Sequence, residues 1–231
     1  PTPEAVEAYL RRFLSHPRIR PMSQLKWNII LNMFILPQRS ADSALKYQSI
    51  WTFNGSPFTI ELQRLEDALN AQFAENNRNI VVRYAMSFDK PFLSDVMNDF
   101  VADGISEVVI LPLFPQSAFS TTGVVIDDMN SLSNRMKEDV AITFIDKYYE
   151  NPLYIKAIAN SILKTGFDAS SDSRDHLMMS FHSIPLSDID SCDTYNIQTS
   201  ETCELIAREL GIPKERWSVG YQCRFDKERN W

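Results

Sequence analysis

Histidine, cysteine and clustered positive charge are all scarce in this chain of 231 residues, and each scarcity removes a class of function. The three cysteines, Cys192, Cys203 and Cys223, are odd in number and form no CxxC pair, so neither a disulfide framework nor a zinc ribbon is expected. Thiols of this kind fit a reducing, cytoplasmic compartment, and no iron–sulfur cluster is expected from them. The net charge is −7 and Lys and Arg form no run, which argues against a nucleic-acid partner, since such surfaces need clustered positive charge to displace counterions. Long apolar runs are lacking too. The stretch Leu25 to Pro37 is interrupted by Asn28 and Asn32 and falls short of the roughly 20 residues that span a bilayer. A buried core helix is expected there, with peripheral membrane contact as the alternative. The residues ahead of it carry no secretory pattern.

What remains is a chain with 44% hydrophobic and 23% charged residues, ordinary for a globular protein that handles small molecules. Short apolar runs rich in β-branched and aromatic residues predict strands at Asn79–Phe88, Ser106–Pro115, Val140–Tyr148, His176–Ile184 and Trp217–Phe225, each buried on both faces of a parallel sheet. Helical patterns alternate with them. Thr2 and Pro3 open the first, Ser56 and Pro57 another, while Gly166 and Gly211 close two more. The βαβα order predicts open parallel sheets flanked by helices, with right-handed crossovers. The polar segment Asp168–Asp175 suggests a division into an N-terminal α/β domain over residues 1–150 and a C-terminal one over 151–231.

Ligands of open α/β sheets bind outside the carboxyl ends of the strands, so those ends are the candidate site. In "LPLFPQSAFSTTG", Pro115 stops a strand, and Ser120, Thr121, Thr122 and Gly123 offer hydroxyls and backbone N–H groups at a helix start, with Gln116 nearby. A plain helix cap is the alternative reading of those four residues. In "LMMSFHSIP", alternation puts His176, Met178, Ser180 and His182 on one face of a strand and leaves His182 at its carboxyl end. In "VGYQCRF", Gln222 and Arg224 share a face, and a strand-end Arg turned to a cleft would hold a carboxylate.

Taken together, "PTPEAVEAYLRRFLSHPRI", "RSADSALKYQSIWTFNGSPF", "LPLFPQSAFSTTG", "SFHSIP", "DTYNIQTSETCELIARELGI" and "WSVGYQCRF" resemble the ferrochelatase family over nearly the whole chain. The resemblance implies two Rossmann-like (chelatase) domains with a porphyrin cleft between them. It also implies insertion of Fe²⁺ into protoporphyrin IX, with protoporphyrin and ferrous iron as substrates and no resident cofactor. It makes His182 the catalytic base and metal ligand. Its partner carboxylate would lie beyond Trp231, and a first strand would precede Thr2. On this expectation the chain is a piece of a longer protein, inactive and marginally stable by itself. The porphyrin-binding positions implied are Ser87, Phe88, Phe114, Gln116, Ser117, Ser120, Thr121, Thr122, Gly123, Ser183, Gln222 and Arg224. Ser87 and Phe88 stand where the family commonly has an Arg-Tyr pair, Ser117 replaces an aromatic residue, and Asp226 replaces a glycine. A porphyrin or haem carrier without catalysis, and a chelatase for another tetrapyrrole or metal, are the competing readings. Oligomeric state is not indicated.

Overall fold

The computed structural model describes residues 1–133, 140–191 and 193–223. The chain divides into two compact units, one made of Pro1–Val108 with Val124–Ala141 and the other of Val109–Gly123 with Ile142–Trp231.

In the first unit, helix α1 (Pro3–Ser15) starts as its sequence predicts: Thr2 Oγ1 accepts the Ala5 N–H at 3.3 Å and Pro3 occupies the first turn. Its buried stripe, Val6 and Leu14, meets a long helical stretch made of α2 (Gln24–Ile30), a π-helical turn at Leu31–Ile35, and α3 (Leu36–Ile50). The widened turn has a local cause. Pro37 has no N–H to return to Met33 and its ring crowds that carbonyl, and the Leu36 N–H bonds the carbonyl of Leu31 instead. Trp27 locks α2 to α1 by donating its indole N–H to the Leu14 carbonyl at 2.6 Å.

The expectation of a buried helix over Leu25–Pro37 holds for one face only. Trp27, Leu31 and Leu36 are buried, whereas Leu25, Ile29, Met33 and Phe34 are exposed, Leu25 by 81%. No described helix is long and apolar enough to cross a membrane.

Helix α4 (Pro57–Glu75) begins at Ser56, whose side chain makes no cap hydrogen bond, contrary to its expected role. Asn79–Phe88, expected as a strand, joins no ladder among the described residues: Met86 makes a single bridge to Phe92, and Ser87 and Phe88 fall in a bend. Side chains of α4 take over its backbone groups. Asn70 accepts the Val82 N–H at 2.8 Å and donates to the Val82 carbonyl at 3.0 Å, and Glu66 accepts the Tyr84 N–H at 2.8 Å. After α5 (Leu93–Ala102), the short strand β1 (Glu107–Ile110) pairs with β2 (Ala141–Phe144), and α6 (Thr122–Ser133) runs between them.

The second unit is built around β3 (Leu177–His182) and β4 (Trp217–Gln222). They are parallel and in register from Leu177 opposite Trp217 to His182 opposite Gln222. Helices α7 (Pro152–Lys164) and α9 (Tyr195–Leu210) cover one face, with Ile155, Ala159, Met179, Cys203, Ile206 and Trp217 among the buried core. The short α8 (Leu186–Asp190) connects β3 to α9. Asn151 caps α7 by accepting from the Leu153 and Tyr154 N–H groups, and Gly211 ends α9 at φ 69°, the left-handed region its lack of a Cβ allows. Burial of β3 on both faces, expected from its composition, is not observed: Met178 is 68% exposed, because α7 and α9 lie on the opposite side. The segment Asp168–Asp175 is a structured loop. The Arg216 guanidinium donates to the carbonyls of Asp168, Ser170 and Asp175 at 2.6–3.0 Å.

The Asn70 contacts generate a prediction. Asn70→Ala removes both partners of Val82 and should lower stability by about 1–2 kcal/mol in urea denaturation. An unchanged midpoint would show that water replaces the carboxamide at no cost.

Candidate functional site

His182 is the last residue of β3 and is exposed on the face away from α7 and α9, together with Met178 and Ser180. The next residue closes the ends of the two strands. Ser183 gives its N–H to the Gln222 carbonyl at 2.9 Å and its hydroxyl to the Cys223 carbonyl. Beneath this closure lies a cavity of ≈ 320 Å³ lined by Ile184, Leu186, Ile189, Tyr195, Asn196 and Tyr221, with Ser183, Gln222 and Cys223 at its wall. Asn196 Oδ1 is buried there without a hydrogen-bond partner. Burial pushes the Tyr195 phenol up to about 12, so it stays protonated and able to donate at neutral pH.

The loop after β1 belongs to the same unit. Thr121 and Gly123 both give their N–H groups to the Ala118 carbonyl, at 3.2 and 3.1 Å. Those donors, expected to face a ligand, close the turn instead. Ser120 and Thr121 are half-buried, Phe114 is exposed, and the Thr122 hydroxyl is fully buried without a partner.

Gln116 and Ser117 are spent inside the fold. The Gln116 carboxamide donates to Thr202 Oγ1 at 2.9 Å; the Ser117 N–H goes to Gln198 Oε1 and its hydroxyl to Asp146, both at 2.8 Å. Two residues on, the Phe119 N–H goes to Asp193 at 2.7 Å. Tyr149, next to this segment, donates to Glu201 at 2.6 Å, and that bond, aided by burial, pushes its phenol up to about 12.

Helix α9 thus joins the three strand ends singled out in the sequence. It holds the loop after β1 through Gln198 and Thr202, and Asp193, just ahead of its first turn, holds the same loop. Its Tyr195 hydroxyl meets the main chain of His182, and Thr199 Oγ1 lies 2.6 Å from the Tyr221 hydroxyl of β4. Sequence reasoning passed over these helix residues. A signal was present, since Gln198, Thr199 and Thr202 interrupt the stripe that continues apolar through Cys203, Ile206 and Leu210.

In the first unit, Ser87 donates to the Asp128 carboxylate, whose pKa burial nevertheless raises. Phe88 packs edge-on against Phe13 and His16, with ring centroids 5.1 and 5.8 Å away. Beside them, the Arg18 guanidinium forks onto Asp127 at 2.6 and 2.8 Å and holds that carboxyl below its usual range. Arg224 lies outside the described residues, as do Cys192 and Asp226. Cys203 is fully buried, which pushes its thiol up to about 11 and leaves it unreactive at neutral pH; Cys223 is exposed.

A parallel strand pair ending in an exposed histidine, and a helix that ties that end to a Ser/Thr-rich loop, define an α/β protein with a strand-end site. The ferrochelatase family model matches residues 1–231. A ferrochelatase of Psychrobacter sp. (strain PRwf-1) is 39% identical over 230 residues, covering 99% of this chain and 67% of the relative. One from Actinobacillus pleuropneumoniae serotype 7 (strain AP76) is 36% identical over 228 residues, 99% of this chain and 69% of the relative. A coproporphyrin III ferrochelatase of Streptococcus mutans serotype c is 35% identical over the same share of both chains. The chain belongs to the ferrochelatase family, whose members are metal-inserting enzymes.

The Tyr149 bond sets a pH dependence. The folded-state pKa lies above the ordinary value near 10, so the stabilisation is complete below about pH 10 and is lost as pH rises towards about 12. The stability difference between wild type and Tyr149→Phe should therefore be constant from pH 7 to 9 and shrink above about pH 10 in urea melts. A difference that does not change with pH would contradict the assignment.

Proposed function

We propose that this protein inserts Fe²⁺ into protoporphyrin IX, with His182 as the group that handles the departing pyrrole protons or the incoming metal. The observation that supports it is the exposure of His182 at the carboxyl end of a parallel strand, where ligands of α/β sheets bind. Insertion exchanges two N–H protons of the free-base ring for one Fe²⁺. Imidazole, titrating near neutrality, can take one proton at a time from a pyrrole nitrogen, pass it to water, or ligate the ion through its neutral nitrogen. Iron is a substrate here, and no resident cofactor is required.

The reading extends to the family's two α/β domains, divided along the sequence near residue 150, and to a porphyrin cleft between them. In the second compact unit Phe114 is an exposed apolar surface for the ring, and Gln222 and the Ser120 and Thr121 hydroxyls are polar groups near its edge. Gln116, Ser117 and Ser183 serve by shaping the site, since their polar groups are already bonded within the fold. Protoporphyrin is preferred over coproporphyrin on the "GYQCRF" string at residues 220–225, although one of the relatives is named for coproporphyrin III. The exposed Leu25, Ile29, Met33 and Phe34 support peripheral contact with a membrane from the cytoplasmic side.

In the natural gene product, His182→Ala should slow chelation by about 10²- to 10⁴-fold, while porphyrin binding stays within about tenfold, because the base acts on the bond-making step and not on the ring's apolar faces. Fluorescence quenching and a metal-insertion assay measure the two. Wild-type turnover in the variant would remove the role given to His182. Porphyrin binding by the wild type without metal insertion would favour a carrier.

A further inference from the structure

The amide of Gln198 occupies a position that neither the sequence motifs nor the family match singles out. It is 3% exposed, and both of its ends are engaged. Oε1 accepts the Ser117 N–H at 2.8 Å, and Nε2 donates to Thr194 Oγ1 at 2.8 Å. A main-chain N–H can only donate, so the oxygen must face Ser117, and a flipped amide would lose that bond. The main chain of Gln198 is held as well, its carbonyl accepting from Thr202 Oγ1 at 2.7 Å while that same hydroxyl receives Gln116 Nε2. Three residues past the Ser117 anchor the chain reaches Ser120 and then the turn closed on Ala118. Three residues before Gln198, Tyr195 meets the main chain of His182.

Resting on the chelatase reading, we propose that Gln198 is a positioning residue for metal insertion: its clamped carboxamide sets the place of the Gln116–Gly123 loop, which borders the porphyrin site in that reading, relative to His182. Gln198 lies outside the apolar cluster centred on Cys203, Ile206 and Trp217, and its side chain bonds the loop and the helix start, so the loop is where its loss acts first. A ring must be held to within a fraction of an ångström for its nitrogens to meet the base and the metal together, and small misplacements carry large rate costs.

The test uses the natural gene product and three variants, with porphyrin affinity by fluorescence quenching and KM for porphyrin and for Fe²⁺ determined separately. Gln198→Leu keeps the volume and removes the acceptor; porphyrin Kd and KM should rise about tenfold or more, with KM for Fe²⁺ within about twofold. Gln198→Glu keeps an oxygen facing the Ser117 N–H and should restore porphyrin affinity to within about threefold of wild type. Thr194→Val, at an exposed position, frees Nε2 and decides the matter if the Leu variant does not fold; porphyrin affinity should fall about threefold. Equal losses in the Leu and Glu variants, equal losses for porphyrin and iron, or wild-type affinity in a folded Leu variant or in Thr194→Val would overturn the proposal. A wild-type protein that does not metallate porphyrin removes the chelatase reading together with it. A wild type that does, matched by the Leu variant, removes this inference alone.

Discussion

Everything in the second unit depends on the burial of one stripe of α9 against β3 and β4. Cys203, Ile206, Ala207 and Leu210 meet Met179 and Trp217, and each large apolar side chain withdrawn from water contributes about 1.5–3 kcal/mol. That contact fixes the helix axis. With the axis fixed, the first half of α9 and the residue pair ahead of it meet polar groups of the loop after β1, both backbone and side chain, and the residues there are polar. Asp193, Gln198 and Thr202 face groups that would otherwise be buried unpaired.

The same economy governs the first unit, with side chains standing in for a sheet. The run Asn79–Phe88 has the composition of a strand, but its Val82 and Tyr84 take their hydrogen bonds from Asn70 and Glu66 of α4. Ser87 then lies on Asp128 and Phe88 on Phe13 and His16. An arginine at position 87 would stand beside Asp128 and would pair with that carboxylate, in competition with any other anion. The serine avoids that competition and leaves Asp128 with a neutral hydrogen-bond donor.

The bonded state of several site residues changes what each can do. A serine or glutamine at a strand end reads as a ligand contact when only the sequence is considered. Gln116, Ser117 and Ser183 give their side-chain donors to groups of the protein itself. His182, Phe114 and Gln222 remain at the surface of the unit.

The amino-acid sequence alone determined the family, the place of His182 at the end of its strand, the start of α1 and the end of α9. Each rests on residues close together: a period of two along "LMMSFHS", a threonine before a proline, a glycine after the last helical turn. Tertiary structure decided which polar groups are available to a ligand and which run becomes a paired strand. Gln116 and Ser117 find their partners 86 and 81 residues further on, and the backbone of Val82 is claimed by a side chain on the preceding helix. A hydrogen bond across such a separation leaves no periodic trace in the sequence, because its two ends are brought together only when the apolar faces between them pack.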